Sequence, residues 1–482
     1  LIIAVGVALR LIDIDYSLDG DEVFSAVLAA RSGTDLVAHA LSDRTQGPLH
    51  IFMLSGWMRL FGDSEPALRM LSVLLSIGFL FVLRTLAVEQ LEPWPGILLL
   101  VMGAAGSFFI LNGQQARPYS LSLFLSSLSL LYFMRLIRRG WSFTAMAGWA
   151  SSAALAVSAS YLLVFYALSQ AALLMLHFPR NAAALLLSLV ICLAPLAVWM
   201  AFAFSSENAW NAGLSLIGWI AQPYFLDFGL FYVDLVGILP GVPLLWGLIL
   251  ILALALPALM QLRKTWPAPE LRALLVLAVL PVACVFAVSY LLPASVWATR
   301  QMAGSATAAI LLFAMGFNGR NPRLTRGAVL GVTAWLLVGM PSAMPKATKP
   351  PWKQVIEDYS IGEVHDAVVL HSADGWIASP VRWYIPANVL VDLQDLGSAA
   401  MPRSPIAICH PLRCGAILAS AKDAGYRLVE KRQYAWSSAG LVGERRRTID
   451  GLPMTLTTPG GLPNAWLNVL ILYGDRVEPS LQ

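Results

Sequence analysis

The sequence predicts a polytopic α-helical membrane protein of about eleven spans that carries a small C-terminal extracytoplasmic α/β domain. Three observations predict it. Hydrophobic residues make up 58% and charged residues 12% of the 482, where soluble domains run near roughly 45–50% and about 25%. The mean hydropathy is +0.70, and apolar stretches approaching the about 20 residues of a transmembrane helix recur along the chain. Charge gathers at the end: from Lys346 onward, 137 residues hold 27 of the 60 Asp, Glu, Lys and Arg. These figures exclude an ordinary cytosolic enzyme. A net charge of only +4, with no basic stripe interleaved with aromatics, excludes nucleic acid as a partner. Four cysteines are too few for a disulfide framework in so long a chain.

Taken in order, the apolar stretch Leu1 to Leu11 is too short to span, so the chain is expected to begin inside a first helix. Further spans are expected at 64–84, 94–111, 119–137, 142–158, 160–177, 181–203, 242–262, 271–292, 301–317 and 325–343. The Pro-rich stretch Pro341 to Pro351 divides a membrane domain, 1–344, from a soluble domain, 345–482. No internal repeat or low-complexity tract is seen. In the tail, Ala367 to Leu370 and Ile406 to Ile408 read as buried strands, Gly415 to Ala424 as a short helix, and Ala465 to Tyr473 as a closing strand.

Orientation follows from the basic residues. Arg135, Arg138 and Arg139, then Arg180, then Arg263, Lys264 and Arg272, then Arg320, Arg323 and Arg326 fall in alternate loops, which the positive-inside rule makes cytoplasmic. The other face receives the loop 12–63, the turn 112–118, the segments 204–241 and 293–300, and everything after Pro345. Function is expected on that face. The implied location is a bacterial inner membrane with the tail outside the cytoplasm.

Three polar stretches on that face bear chemistry. Asp19-Gly20-Asp21-Glu22 precedes an apolar-periodic stretch suited to lying on the membrane surface. Carboxylates at a bilayer edge gain basicity by desolvation and can activate a hydroxyl, although Asp19 and Asp21 equally suit the cap of a helix. Asp43-Arg44-Thr45-Gln46-Gly47-Pro48-Leu49-His50 opens a further apolar helix, with Pro48 in its first turn. Asn112 to Tyr119 (NGQQARPY) is a polar break between two spans. Arg117 beside Gln114 and Tyr119 suits the gripping of a phosphate, and equally an interfacial Arg that snorkels beside a belt Tyr. Arg300 opens another span in the same manner.

The DE pair after the first helix, the PL dipeptide opening the next, Phe61 to Ser72 (FGDSEPALRMLS) and Gln114 to Leu121 (QQARPYSL) together resemble the dolichyl-phosphate-mannose protein mannosyltransferase family within the GT-C superfamily. Bacterial polyprenyl-phosphate sugar transferases, including aminoarabinose transferases of lipid A, are relatives of that family. The resemblance covers the first 170 residues well, is looser to Ala343 and is architectural in the tail. It implies that Asp21 is the catalytic carboxylate with Glu22 its partner, and that Arg117, Tyr119, Arg300 and Gln114 face the donor phosphate. It places Asp43, Gln46 and His50 in acceptor contact or loop support, and reads Arg69 as a structural tie between the outer loop and a helix end. Two departures stand out: Gln301 follows Arg300 where relatives often carry Tyr, and Gln46-Gly47-Pro48 stands where many read His-Pro-Pro. The second puts use of a divalent metal in doubt, and no metal ligands or other cofactor are assigned.

The implied function is inverting glycosyl transfer, hexosyl or pentosyl, from a polyprenyl-phosphate sugar donor to a glycan, lipid or protein acceptor, with membrane lipid as surroundings. The rival is a transporter or carrier of lipid-linked sugars. No pairing of Gly/Pro-broken helices between the two halves favours it. Cys192 and Cys284 read as packing, and Cys409 with Cys414 as a local disulfide rather than a metal site. Glu444 to Arg447, Lys349 and Lys353 read as solvated loop and linker residues.

Overall fold

In the computed structural model the described residues are 1–43, 46–203, 220–237, 239, 242–264, 269–344, 349–359, 368–370, 375–385, 390–392, 405–409, 414–436 and 465–474. The Glu444 to Arg447 cluster lies outside them. Every stretch expected to span is helical. Among the described residues, five helices can cross a bilayer by length and composition: Glu65–Gln90, Tyr119–Arg139, Pro179–Phe202, Leu244–Gln261 and Pro269–Leu291. A sixth span forms if Pro93–Ala105 and Ser107–Gln114, bent by 46°, count as one. The other expected spans are shorter or less apolar. Ile2–Leu11, Phe143–Ala159, Tyr161–His177 and Ala303–Met315 are apolar helices of 10–17 residues, and Pro322–Gly339 has 18. At about 1.5 Å per residue a 13-residue helix covers roughly 20 Å, short of the about 30 Å hydrocarbon core.

In chain order, α1 (Ile2–Leu11) is followed by three short helices in the first loop, α2 (Gly20–Ala29), α3 (Gly33–Ser42) and α4 (Pro48–Phe61). Then come α5 (Glu65–Gln90), α6 (Pro93–Ala105), α7 (Ser107–Gln114), α8 (Tyr119–Arg139) and α9 (Phe143–Ala159). The break between α6 and α7 sits at Gly106, where a Cβ would meet the Leu235 carbonyl at 2.4 Å and that of Met102 at 2.5 Å. A broken helix frees carbonyls that lipid cannot satisfy. Arg10, fully buried, supplies the missing donors, to Gly103 (3.0 Å), Ala104 (2.8 Å) and Phe109 (3.2 Å).

The two ends of the bundle are polar in different ways. At the basic end, Glu89 at the close of α5 holds Arg135 at 2.7 Å and Arg139 at 3.1 Å. Arg326 lies over the Trp94 ring at 4.9 Å, and the Asn318 amide accepts the Glu92 N–H at 3.1 Å. The side chains of Arg263 and Lys264 are not among those described. At the opposite end gather residues 14–25, 43, 46–50, 116–119, 158–161, 299–301 and 349–353.

The tail holds a five-stranded sheet in the order β2-β1-β3-β5-β4, from β1 (Val368–Leu370), β2 (Leu390–Asp392), β3 (Ile406–Cys409), β4 (Tyr426–Trp436) and β5 (Ala465–Gly474). β1 runs parallel to β2 and β3, with Val368 opposite both Leu390 and Ile406. β5 is antiparallel to β3 and β4. The helices Gly375–Tyr384 and Cys414–Asp423 link β1 to β2 and β3 to β4. Cys409 and Cys414 are joined by a disulfide. The stretch at Pro341 to Pro351 is more than a free linker: Lys349 is buried against the first loop, and Tyr384 of the tail accepts the Leu18 N–H at 2.7 Å.

Candidate active site

The sequence Asp19-Gly20-Asp21-Glu22 builds a capping box at the start of α2. The Asp19 carboxylate accepts the Glu22 N–H at 2.9 Å, and Glu22 accepts the Asp19 N–H at 3.2 Å. Successive helical residues point about 100° apart, so the box that turns Glu22 inward turns Asp21 outward. The Glu22 side chain is fully buried, and that of Asp21 is 40% exposed.

The two adjacent carboxylates therefore have different surroundings. Glu22 accepts from Arg69 Nε at 2.9 Å and Nη2 at 2.8 Å, from the Ala116 N–H at 3.0 Å and from Lys349 Nζ at 2.7 Å. Burial alone would raise its pKa, but the charges of Arg69 and Lys349 outweigh it and hold the carboxyl below the usual carboxylate range. Arg69 also donates to the carbonyls of Ile14 (3.0 Å), Ser17 (2.9 Å) and Tyr16, so it ties the first loop to α5. Asp21 faces cations of another kind. Arg300, in the 3₁₀ turn Thr299–Gln301, reaches Asp21 Oδ2 at 3.4 Å.

Arg117, buried at the α7–α8 turn, donates from Nη1 to Ser25 Oγ at 3.0 Å and to the Asp21 carbonyl at 3.3 Å. Its Nε is buried with no partner among the described residues. Burial opposes its charge, but Tyr119 and Asp21 beside it outweigh that and raise its pKa. The Tyr119 ring is close to both guanidiniums, 5.8 Å from Arg117 and 5.4 Å from Arg300. Asp21, Arg117, Tyr119 and Arg300 are thus brought together. Gln114 is not: its amide donates to the Leu9 and Ile12 carbonyls, at 3.2 and 3.0 Å, closing the end of α1.

Asp43 and residues 46–50 lie beside them, with Asp43 and His50 both close enough to feel the charge of Arg117. The Gly47 N–H bonds the Ala159 carbonyl at 3.1 Å, and a Cβ on Gly47 would meet the Ser158 carbonyl at 2.1 Å. Only glycine permits that approach, which explains the Gly in Gln46-Gly47-Pro48. Asp43 is buried, and its carbonyl accepts Trp199 Nε1 at 3.1 Å. The Gln46 amide and both His50 ring nitrogens are buried without a partner among the described residues, as is the Tyr161 hydroxyl. Burial and the neighbouring Arg117 push His50 down to about 3, so it is neutral at physiological pH.

Four participants escaped the sequence reading. Ser25 lies one helical turn after Asp21, a spacing that marks it in retrospect. Tyr161 and Gly47 stand out only once α9 is packed on the loop, and Lys349 only once the tail is docked. Among the described residues no three His, Cys, Asp or Glu are grouped to hold a metal ion.

No protein-family model matches the chain, and no curated protein sequence does. Among solved structures the chain is similar to ArnT from Cupriavidus metallidurans in the apo state, with a TM-score of 0.59 and 13% identity over 98% of this chain and 97% of that one. It is similar also to the same protein bound to undecaprenyl phosphate, with a TM-score of 0.56 and 11% identity over the same shares. At these identities the likeness is one of fold alone: the chain shares the fold of ArnT over nearly its whole length.

Proposed function

We propose that the chain is an integral-membrane inverting glycosyltransferase. It moves a hexosyl or pentosyl group from a polyprenyl phosphate to an acceptor hydroxyl on the extracytoplasmic side. The observation that carries this reading is a half-exposed carboxylate, Asp21, set against a buried Arg117 and a nearby Arg300 at one end of a helical bundle. The shared fold with a structure bound to undecaprenyl phosphate supports the same class of donor.

The chemistry follows from the charges. The acceptor hydroxyl attacks the anomeric carbon, Asp21 takes its proton, and the carbon–oxygen bond to phosphate breaks with its electron pair leaving on the phosphate. Arg117 and Arg300 stabilise that departing charge, and a guanidinium with an unused buried N–H is suited to it. Glu22, held by Arg69 and Lys349, serves by fixing α2. Gln46 and neutral His50 offer uncharged donors and acceptors that fit the hydroxyls of a sugar or acceptor, with Asp43 supporting the loop. The lipid chain enters between helices, which accounts for a site at the membrane end of the bundle.

The test is a panel of labelled polyprenyl-phosphate sugars, hexosyl, pentosyl and aminopentosyl, given to the purified chain with glycan, lipid and peptide acceptors. Release of polyprenyl phosphate with one donor class, together with labelled acceptor, is the expected result. Binding of donors with no release in any combination would point to a carrier and overturn the reading.

A further inference from the structure

We infer that Lys349, in the segment leading into the C-terminal sheet, is a positioning residue that holds the catalytic carboxylate in register. The inference rests on the proposed role of Asp21. Lys349 is 3% exposed, and its ammonium donates to Asp19 Oδ2 at 2.6 Å and to Glu22 Oε2 at 2.7 Å. Those are the two members of the capping box, and Asp21 lies between them. Asp19 uses its other oxygen, Oδ1, for the cap itself. The α2 N-terminus is therefore gripped from two sides, by Arg69 of α5 and by Lys349 of the tail.

The charges match: two carboxylates, Glu22 fully buried and Asp19 partly so, face two buried cations. Removing the ammonium leaves a net negative charge at the start of α2, and the box can satisfy it only by shifting. The tail grips the same loop at further points. The Lys353 N–H donates to Ser17 Oγ at 3.1 Å, its ammonium reaches Glu65 at 3.0 Å, and the Tyr384 hydroxyl takes the Leu18 N–H at 2.7 Å. Every one of these contacts falls on the loop between α1 and α2 or at the start of α5. The geometry separates two duties: Arg117 and Arg300 face the phosphate, and the tail sets the angle of the base.

The test uses the purified full chain with Lys349→Met, Lys349→Arg and Asp19→Asn. Catalysis is sensitive to displacements of about 1 Å, which cost about 100-fold. Lys349→Met should lower kcat by about that factor while the donor KM and the affinity for undecaprenyl phosphate stay at the wild-type values, and Lys349→Arg should recover most of the loss. Should Lys349→Met fail to fold, Asp19→Asn still caps α2 but loosens the ammonium, and it should lower kcat with KM unchanged. An unchanged kcat in folded Lys349→Met or in Asp19→Asn would overturn the inference. So would a fall in kcat accompanied by equal loss of undecaprenyl-phosphate binding. Amide hydrogen exchange over residues 19–26 keeps the two claims apart. If wild type transfers no sugar, the proposed function fails, while faster exchange in Lys349→Met still supports the clamp and unchanged exchange overturns it.

Discussion

At the basic end of the bundle Glu89 carries Arg135 and Arg139 at 2.7 and 3.1 Å, on side chains 27% and 63% exposed. Asn318 and Glu92 close the neighbouring turns. At the other end Arg117 Nε, the Gln46 amide and the His50 ring are buried and keep hydrogen-bonding capacity that no described residue uses. Buried polar groups are ordinarily satisfied, so the second arrangement needs a reason that the first does not. The difference teaches how to tell a helix cap from a site. Where charge is wet and mutually paired it finishes a turn, and where it is dry with spare capacity it is built for something else. The two carboxylates of α2 differ in another way: Glu22 is buried with its charge matched by Arg69 and Lys349, and Asp21 is 40% exposed beside Arg300.

The contrast predicts a graded series of effects. The largest is expected for Asp21→Asn, which keeps shape and removes the base: turnover should fall about 10²–10⁴-fold while the melting temperature stays near wild type. Glu22→Gln should act first on stability. Leaving Arg69 and Lys349 buried without their anion costs about 3–5 kcal/mol, visible as lost stability in SDS unfolding before any assay of transfer. If Glu22→Gln were as stable as wild type, the division between the two carboxylates would collapse.

His50 gives a smaller, pH-dependent effect. Its folded-state pKa lies near 3, below the ordinary 6.5, so as pH falls through 6.5 the unfolded chain takes up a proton that the folded chain refuses. Stability is therefore lost on acidification, by about 1.4 kcal/mol per pH unit, or about 2 kcal/mol between pH 6.5 and 5. His50→Gln should remove that slope when the two proteins are unfolded across the range; parallel slopes would mean that His50 is not held neutral. The smallest effect belongs to the basic end. Glu89→Gln should change stability by no more than about 1 kcal/mol and leave transfer untouched.

Much of this was legible in the sequence, for reasons that also explain what was not. Apolar runs of helical length need no tertiary information, so each stretch expected to span is helical, 94–111 as two helices. The break at Gly106 did not show, because α6 and α7 are both apolar and only the buried Arg10 reveals that carbonyls there need donors. β1, β3 and β5 carry apolar runs and were read. β4 (YRLVEKRQYAW) sits at the sheet edge, where charged side chains are tolerated and blur the alternation, and β2 is only three residues long. At the site, Asp21 and Arg117 were marked by their neighbours in sequence. Lys349 was read as a linker residue, since its carboxylate partners lie 330 and 327 positions away and nothing local announces them.

The most direct measurement is equilibrium binding of undecaprenyl phosphate to the purified full chain, comparing guanidinium losses at the two ends. Arg117→Gln and Arg300→Gln should each weaken binding by about tenfold or more, the worth of a charge-assisted contact of roughly 1.5–3 kcal/mol. Arg135→Gln and Arg138→Gln should leave it unchanged. Unaltered binding in the first pair, or an equal loss in the second, would contradict the claim that the dry, unsatisfied end of the bundle is where the lipid phosphate is held.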